Sequence, residues 1–129
     1  MKISPVILLL LSQMTSANEV NILQASFSQH TSGLWSIKVT LKHDDASWKH
    51  YADDWRIVDE KGNILADRIL VHPHINEQPF TRGLNNVKIP SNIKTVFIEA
   101  HDKVHGWSKN RLKVNLDDIK NGHLIVKAK

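Results

Sequence analysis

The stretch from Leu34 to His43 alternates without a break. Trp35, Ile37, Val39 and Leu41 fall on one face, and Ser36, Lys38 and Thr40 fall on the other. A period of two is the side-chain period of an extended strand, so one face is apolar and the other wet. His43 continues the apolar face at the point where a core position opens to the rim. A strand of this kind is stable only when partners pair with it and a second layer covers it. The rest of the chain supplies both. Val20 to Gln29 reads as an opening strand with a register shift at Ile22-Leu23, the mark of a bulge. Trp55 to Glu60 and Ile64 to Val71 flank a Lys61-Gly62-Asn63 hairpin turn. Gly83 to Ile89 is a further short strand. Thr95 to Asp102 sets Val96, Ile98 and Ala100 against Phe97, and Arg111 to Leu116 alternates again. About seven short strands separated by turn residues, without a long helical period, predict an all-β, antiparallel two-sheet sandwich of the immunoglobulin or fibronectin type III kind. Trp35 is the expected core plug. A small barrel is the alternative. The pattern assigns no place to residues 117–129, whose apolar run is Leu124 to Val126.

The N-terminus has a different character. Lys2 precedes an apolar run from Val6 to Leu11, and Thr15-Ser16-Ala17 presents small residues where a signal peptidase reads them. This predicts a signal peptide over residues 1–17 and one exported domain over residues 18–129. The apolar run is too short to span a bilayer. The sequence contains no cysteine. That removes disulfides, zinc–thiolate, blue-copper and iron–sulfur sites, and thiol catalysis. The 17 Lys and Arg residues outnumber the 13 Asp and Glu residues only slightly. The basic residues are dispersed rather than clustered, and with export this argues against nucleic acid as a partner.

What stands out is histidine, of which the chain has 8. His43 and His50 flank the first long loop, His72 and His74 sit in an irregular loop from Val71 to Arg82, and His101 and His105 flank the last hairpin. In His72-Pro73-His74 the proline fixes its own φ and biases the preceding residue to an extended conformation, so both rings project to similar sides. The expectation is a metal site with His72 and His74 as ligands, completed by His101 or His105 and by His43. Asp102, Glu77 or Asp44 would hold a far imidazole nitrogen or add a carboxylate. Imidazole and carboxylate without sulfur suit Cu(II) or Zn(II). Loop aromatics Trp48, Tyr51, Phe80 and Trp107 carry the competing reading, a metal-free module that binds a peptide, glycan or partner protein. No nucleophile elbow and no phosphate loop occur, so catalysis has little support. Arg82 beside Glu77 reads as an ion pair.

Three runs carry a resemblance: His50-Tyr51-Ala52-Asp53-Asp54-Trp55, His72-Pro73-His74 with Glu77-Gln78-Pro79-Phe80-Thr81-Arg82, and Ala100-His101-Asp102-Lys103-Val104-His105-Gly106-Trp107. Together they resemble a family of small exported proteins of Gram-negative bacteria. The resemblance spans Ala25 to Leu116 and implies a periplasmic address. It brings no activity with it.

Overall fold

The structure, a computed structural model, describes residues 19–129. The expected signal peptide over residues 1–17 lies outside them. Nine strands follow in chain order: β1 (Asn21–Gln29), β2 (Trp35–Lys42), β3 (Ala52–Asp59), β4 (Ile64–Ile69), β5 (Phe80–Val87), β6 (Thr95–Asp102), β7 (Gly106–Trp107), β8 (Leu112–Asn115) and β9 (His123–Lys127). One sheet has the order β5-β2-β1-β9. The other has the order β4-β3-β6-β7, with β8 pairing the same strand β6. All pairings are antiparallel. This is the expected sandwich. Its fourth strand lies beside β3 rather than on the β2 sheet, as in immunoglobulin-type domains whose extra strands extend that layer.

The alternating residues face inward as expected. Trp35, Ile37, Val39 and Leu41 of β2 meet Trp55 and Ile57 of β3 and Val96, Ile98 and Ala100 of β6 in one apolar core. Phe27 packs edge-on against Trp35 at 6.0 Å between ring centroids. The register of β1 shifts between Ile22 and Gln24, where the sequence places a bulge. Elsewhere the boundaries move. β5 begins at Phe80, three residues before the expected start, because Phe80 is buried and pairs with Leu41. Gly83 follows at a close approach to β2, where an added Cβ would stand 2.9 Å from the Ile37 carbonyl oxygen. The Leu124 to Val126 run becomes β9, which pairs with β1 from Phe27↔Leu124 to Ala25↔Val126.

The registers decide where the histidine-bearing connections lie. Leu41 at the end of β2 faces Phe80 at the start of β5. Ala52 at the start of β3 faces Asp102 at the end of β6, and Asp54 faces Ile69 at the end of β4. The β2–β3, β4–β5 and β6–β7 connections therefore all emerge at one end of the sandwich.

The outer face of β3 carries an unusual carboxyl group. Asp54 is pushed up to about 8, first by burial and then by the hydrogen bond and charge of Asp67 on β4; Asp53 adds to the shift and Arg56 opposes it. The ordinary value is 3.8, so the folded chain holds a proton here that the unfolded chain releases. The stability this group contributes is full below the unfolded value and is lost as pH rises through the folded one. Asp54→Asn is therefore expected to raise the melting temperature, with a gap over wild type that widens from about pH 5 to about pH 9. Thermal melts across that range check this, and a gap independent of pH would refute the assignment.

Candidate metal centre

The site grows out of strand parity. Along β2 every second residue faces the core, and the alternation runs past the end of the strand. Leu41, His43 and Asp45 are buried while Lys42 and Asp44 are exposed. β6 does the same: Val96, Ile98, Ala100 and Asp102 face inward, and His101 points to the opposite face. The apolar core thus ends in a floor of His43, Asp45 and Asp102, with side chains at most 1% exposed.

Each buried carboxylate is surrounded by donors. Asp45 Oδ1 accepts from His43 Nδ1 at 2.7 Å and from the Ala52 amide at 2.9 Å; Oδ2 accepts from the His74 amide at 2.7 Å. Asp102 Oδ1 accepts from the Val104 and His105 amides at 2.9 and 2.7 Å, the local turn that Asp favours. His105 Nδ1 lies 3.0 Å from the same oxygen. Burial pushes Asp102 up, yet these hydrogen bonds and the His105 charge outweigh it and hold the carboxyl below its ordinary value.

A tight turn brings His50 over the floor. The Ala46 amide donates to the His50 carbonyl and the His50 amide donates to the Ser47 carbonyl. The His50 ring then sits edge-on to His43 at 4.9 Å between centroids and 5.2 Å from His105. His50 Nε2 is buried, 3.5 Å from Asp102 Oδ1, and has no hydrogen-bond partner. A carboxylate only accepts, so His43 must donate through Nδ1 to Asp45. Its Nε2 faces Asp102 Oδ2 at 3.8 Å. One ligand atom each from His43, His50 and Asp102 lies within 4.8 Å of the others. Two imidazoles and a carboxylate at this spacing could hold a metal ion.

His74 adjoins this group from the proline loop. Its ring stacks on Phe80 at 3.9 Å, and its Nε2 lies 2.9 Å from an Arg82 guanidinium nitrogen. Arginine only donates, so Nε2 accepts and the proton sits on Nδ1. Burial, with the nearby Arg82 and His72, holds His74 below the ordinary imidazole value. Nδ1 points toward Asp45 Oδ2 at 3.9 Å without reaching hydrogen-bond geometry.

Of the residues expected as ligands, the fold therefore gathers His43, His105 and Asp102 around one point and sets His74 behind Asp45. It leaves the others outside. His72 is exposed, with Nδ1 3.0 Å from the Pro73 carbonyl oxygen. His101 pairs with Asp53 at 2.6 Å on the outer face, edge-on to Trp107. Asp44 is exposed, and its neighbour Asp45 occupies the floor. Glu77 is exposed and pairs with Arg82 at 3.1 Å, the ion pair read from the sequence. His50 and Asp45 were not among the expected site residues. For Asp45 the signal was present: the His43 face extends two residues further. For His50 no local signal exists, because a turn brings it back.

The expected aromatic platform does not assemble. Tyr51 and Phe80 are buried, and Trp107 lies under the Arg56 guanidinium at 3.6 Å. Trp48, at 65% exposure, projects alone from that set.

No protein-family profile matches the chain, and no solved structure matches it. Among curated proteins it is similar to a "Putative lipoprotein" of Halomicrobium mukohataei. The two are 29% identical over 99 residues, which is 77% of this chain and 48% of the relative. The chain thus spans about half the length of that curated relative.

Asp102 ties three donors together at a buried position. Asp102→Ala removes the acceptor of those part-buried donors, at about 0.5–1.5 kcal/mol for each hydrogen bond lost. We expect a loss of roughly 3 kcal/mol in urea unfolding with an unchanged slope. A loss below about 1 kcal/mol would mean the turn satisfies its amides otherwise.

Proposed function

We propose that this protein binds a divalent transition metal ion, copper or zinc, at the loop end of the sandwich. His43 and His50 would supply imidazole nitrogens and Asp102 a carboxylate oxygen. Their convergence within 4.8 Å, with the His50 Nε2 atom buried and lacking a hydrogen-bond partner, is the observation that carries this reading. A buried imidazole nitrogen facing a carboxylate calls for something between them, a proton or a cation. Asp45 on the far nitrogen of His43 is the usual arrangement behind a ligating imidazole. His105 would steady Asp102 from the solvent side. Three protein donors leave a position open for water or an exchanging ligand, which suits carriage or sensing of an ion more than a permanent structural role. The donor set lacks sulfur, and it favours Zn(II) or Cu(II) over soft monovalent copper.

We further propose that the chain is exported, with a signal peptide removed after Ala17 and a periplasmic domain remaining. The Lys2, Val6 to Leu11 and Thr15-Ser16-Ala17 pattern supports this, as does the lipoprotein name of the relative. Trp48 supports a second reading, a metal-independent contact with a partner protein, peptide or glycan, because it is 65% exposed beside Tyr51 on the same loop. The two part on one point: a chelator abolishes the first activity and leaves the second intact.

The test is a competition titration of the purified protein with Zn(II) and Cu(II). One ion per chain is expected. His43→Ala and His50→Ala should each weaken binding by more than about 100-fold, beyond the 10–100-fold that loss of an outer partner costs. Wild-type affinity in both variants would sink the proposal.

A further inference from the structure

The Val71 to Arg82 loop contacts the metal centre without lining it. The hydrogen bonds between them form a closed circuit. Asp45 accepts from the His43 ring on one oxygen and from the His74 amide on the other. Gln78 closes the return path: its Oε1 accepts from the His43 amide at 3.0 Å, and its Nε2 donates to the His74 carbonyl at 2.8 Å. His74 is itself clamped between Phe80 and Arg82. Asp45 thus holds the His43 ring and the His74 amide, and Gln78 holds the His43 amide and the His74 carbonyl.

From this circuit we infer that Asp45 is a positioning residue that couples occupancy of the metal centre to closure of the proline loop. The inference rests on the metal-binding reading above and adds a regulated element to it. Asp45 Oδ1 fixes the His43 proton on Nδ1, so Nε2 is the ring nitrogen with a lone pair able to ligate an ion. A ligated His43 donates more strongly through Nδ1, because the cation draws charge from the ring. That strengthens its bond to Asp45 and restricts the carboxylate, whose other oxygen holds the His74 amide. The coupling is reciprocal: a loop seated on Asp45 pre-orients His43, and a loop that opens releases it. The mouth of the centre lies elsewhere, at the rings of His50 and His105, which are 23% and 29% exposed. The loop therefore acts from behind the ion and does not form a lid over it. This gives the histidine-proline loop a role that ligation does not: His74 anchors the strap, and Arg82 and Phe80 hold His74.

The experiment is hydrogen–deuterium exchange of the full protein with and without Zn(II), read on peptides covering residues 71–79, alongside Zn(II) affinity. In wild type, Zn(II) should slow exchange of the His74 amide at least about tenfold, although no ligand lies in that loop. Asp45→Asn should weaken Zn(II) binding by about 10–100-fold, the range for an outer partner, and abolish the metal-dependent protection. Gln78→Ala lies nearer the surface and serves if Asp45→Asn does not fold. It should reduce both the protection and the affinity, with less effect on the latter. In Zn(II)-loaded protein, imidazole nitrogen shifts should report His43 ligated through Nε2. Wild-type protection and affinity in both variants would overturn the coupling and leave the metal reading standing. Absence of Zn(II) and Cu(II) binding in wild type would overturn both.

Discussion

Two carboxylates buried at one end of an apolar core govern this structure. An ionised carboxylate removed from water is costly unless donors surround it. Asp45 and Asp102 lie within a layer continuous with Leu41 and Ala100, and every connection at that end supplies them with donors. The Ala52 amide comes from the start of β3, the His74 amide from the β4–β5 loop, and the Val104 and His105 amides from the β6–β7 turn. His43 lies between the two carboxylates. The loops have the shapes they have because these oxygens must be satisfied.

The same requirement explains why the end of the sandwich is chemically distinct from the rest. The opposite histidines make simpler contacts: His30 with Ser36 and His123 with Ser28, each a hydrogen bond on an exposed surface. At the site end the imidazoles alternate with carboxylates, in the order His74, Asp45, His43, Asp102 and then His50 or His105. The ring–carboxylate links are unequal: His43–Asp45 and His105–Asp102 are hydrogen bonds, whereas His74 Nδ1, His43 Nε2 and His50 Nε2 face their carboxylates at 3.9, 3.8 and 3.5 Å. The arrangement also leaves a buried nitrogen of His50 3.5 Å from Asp102 with no hydrogen-bond partner.

Much of this was legible in the sequence, and the sandwich most of all. The alternation of Trp35, Ile37, Val39 and Leu41 needs a core on one side, and β6 repeats it. Histidine placement pointed to the three connections that do meet. The misses are informative in the same terms. His101 and Asp102 are neighbours, and parity along β6 sends one to solvent and the other to the core. Asp44 and Asp45 divide in the same way beyond β2. Carrying the period of two past the last apolar residue selects Asp45 and Asp102. His72-Pro73-His74 offered the sharpest local motif, yet the loop buries one ring against Phe80 and exposes the other.

By itself the sequence determined the strands, their buried faces and the supply of histidine and carboxylate at the connections, because these follow from local periodicity and composition. Only the tertiary structure decided which of those groups meet. Antiparallel registers bring β2, β3, β4, β5 and β6 to a common end, a turn returns His50 over His43, and the proline loop settles behind Asp45. These are contacts between residues far apart in the chain, set by how two sheets pack and how buried charges find donors, and no local pattern encodes them.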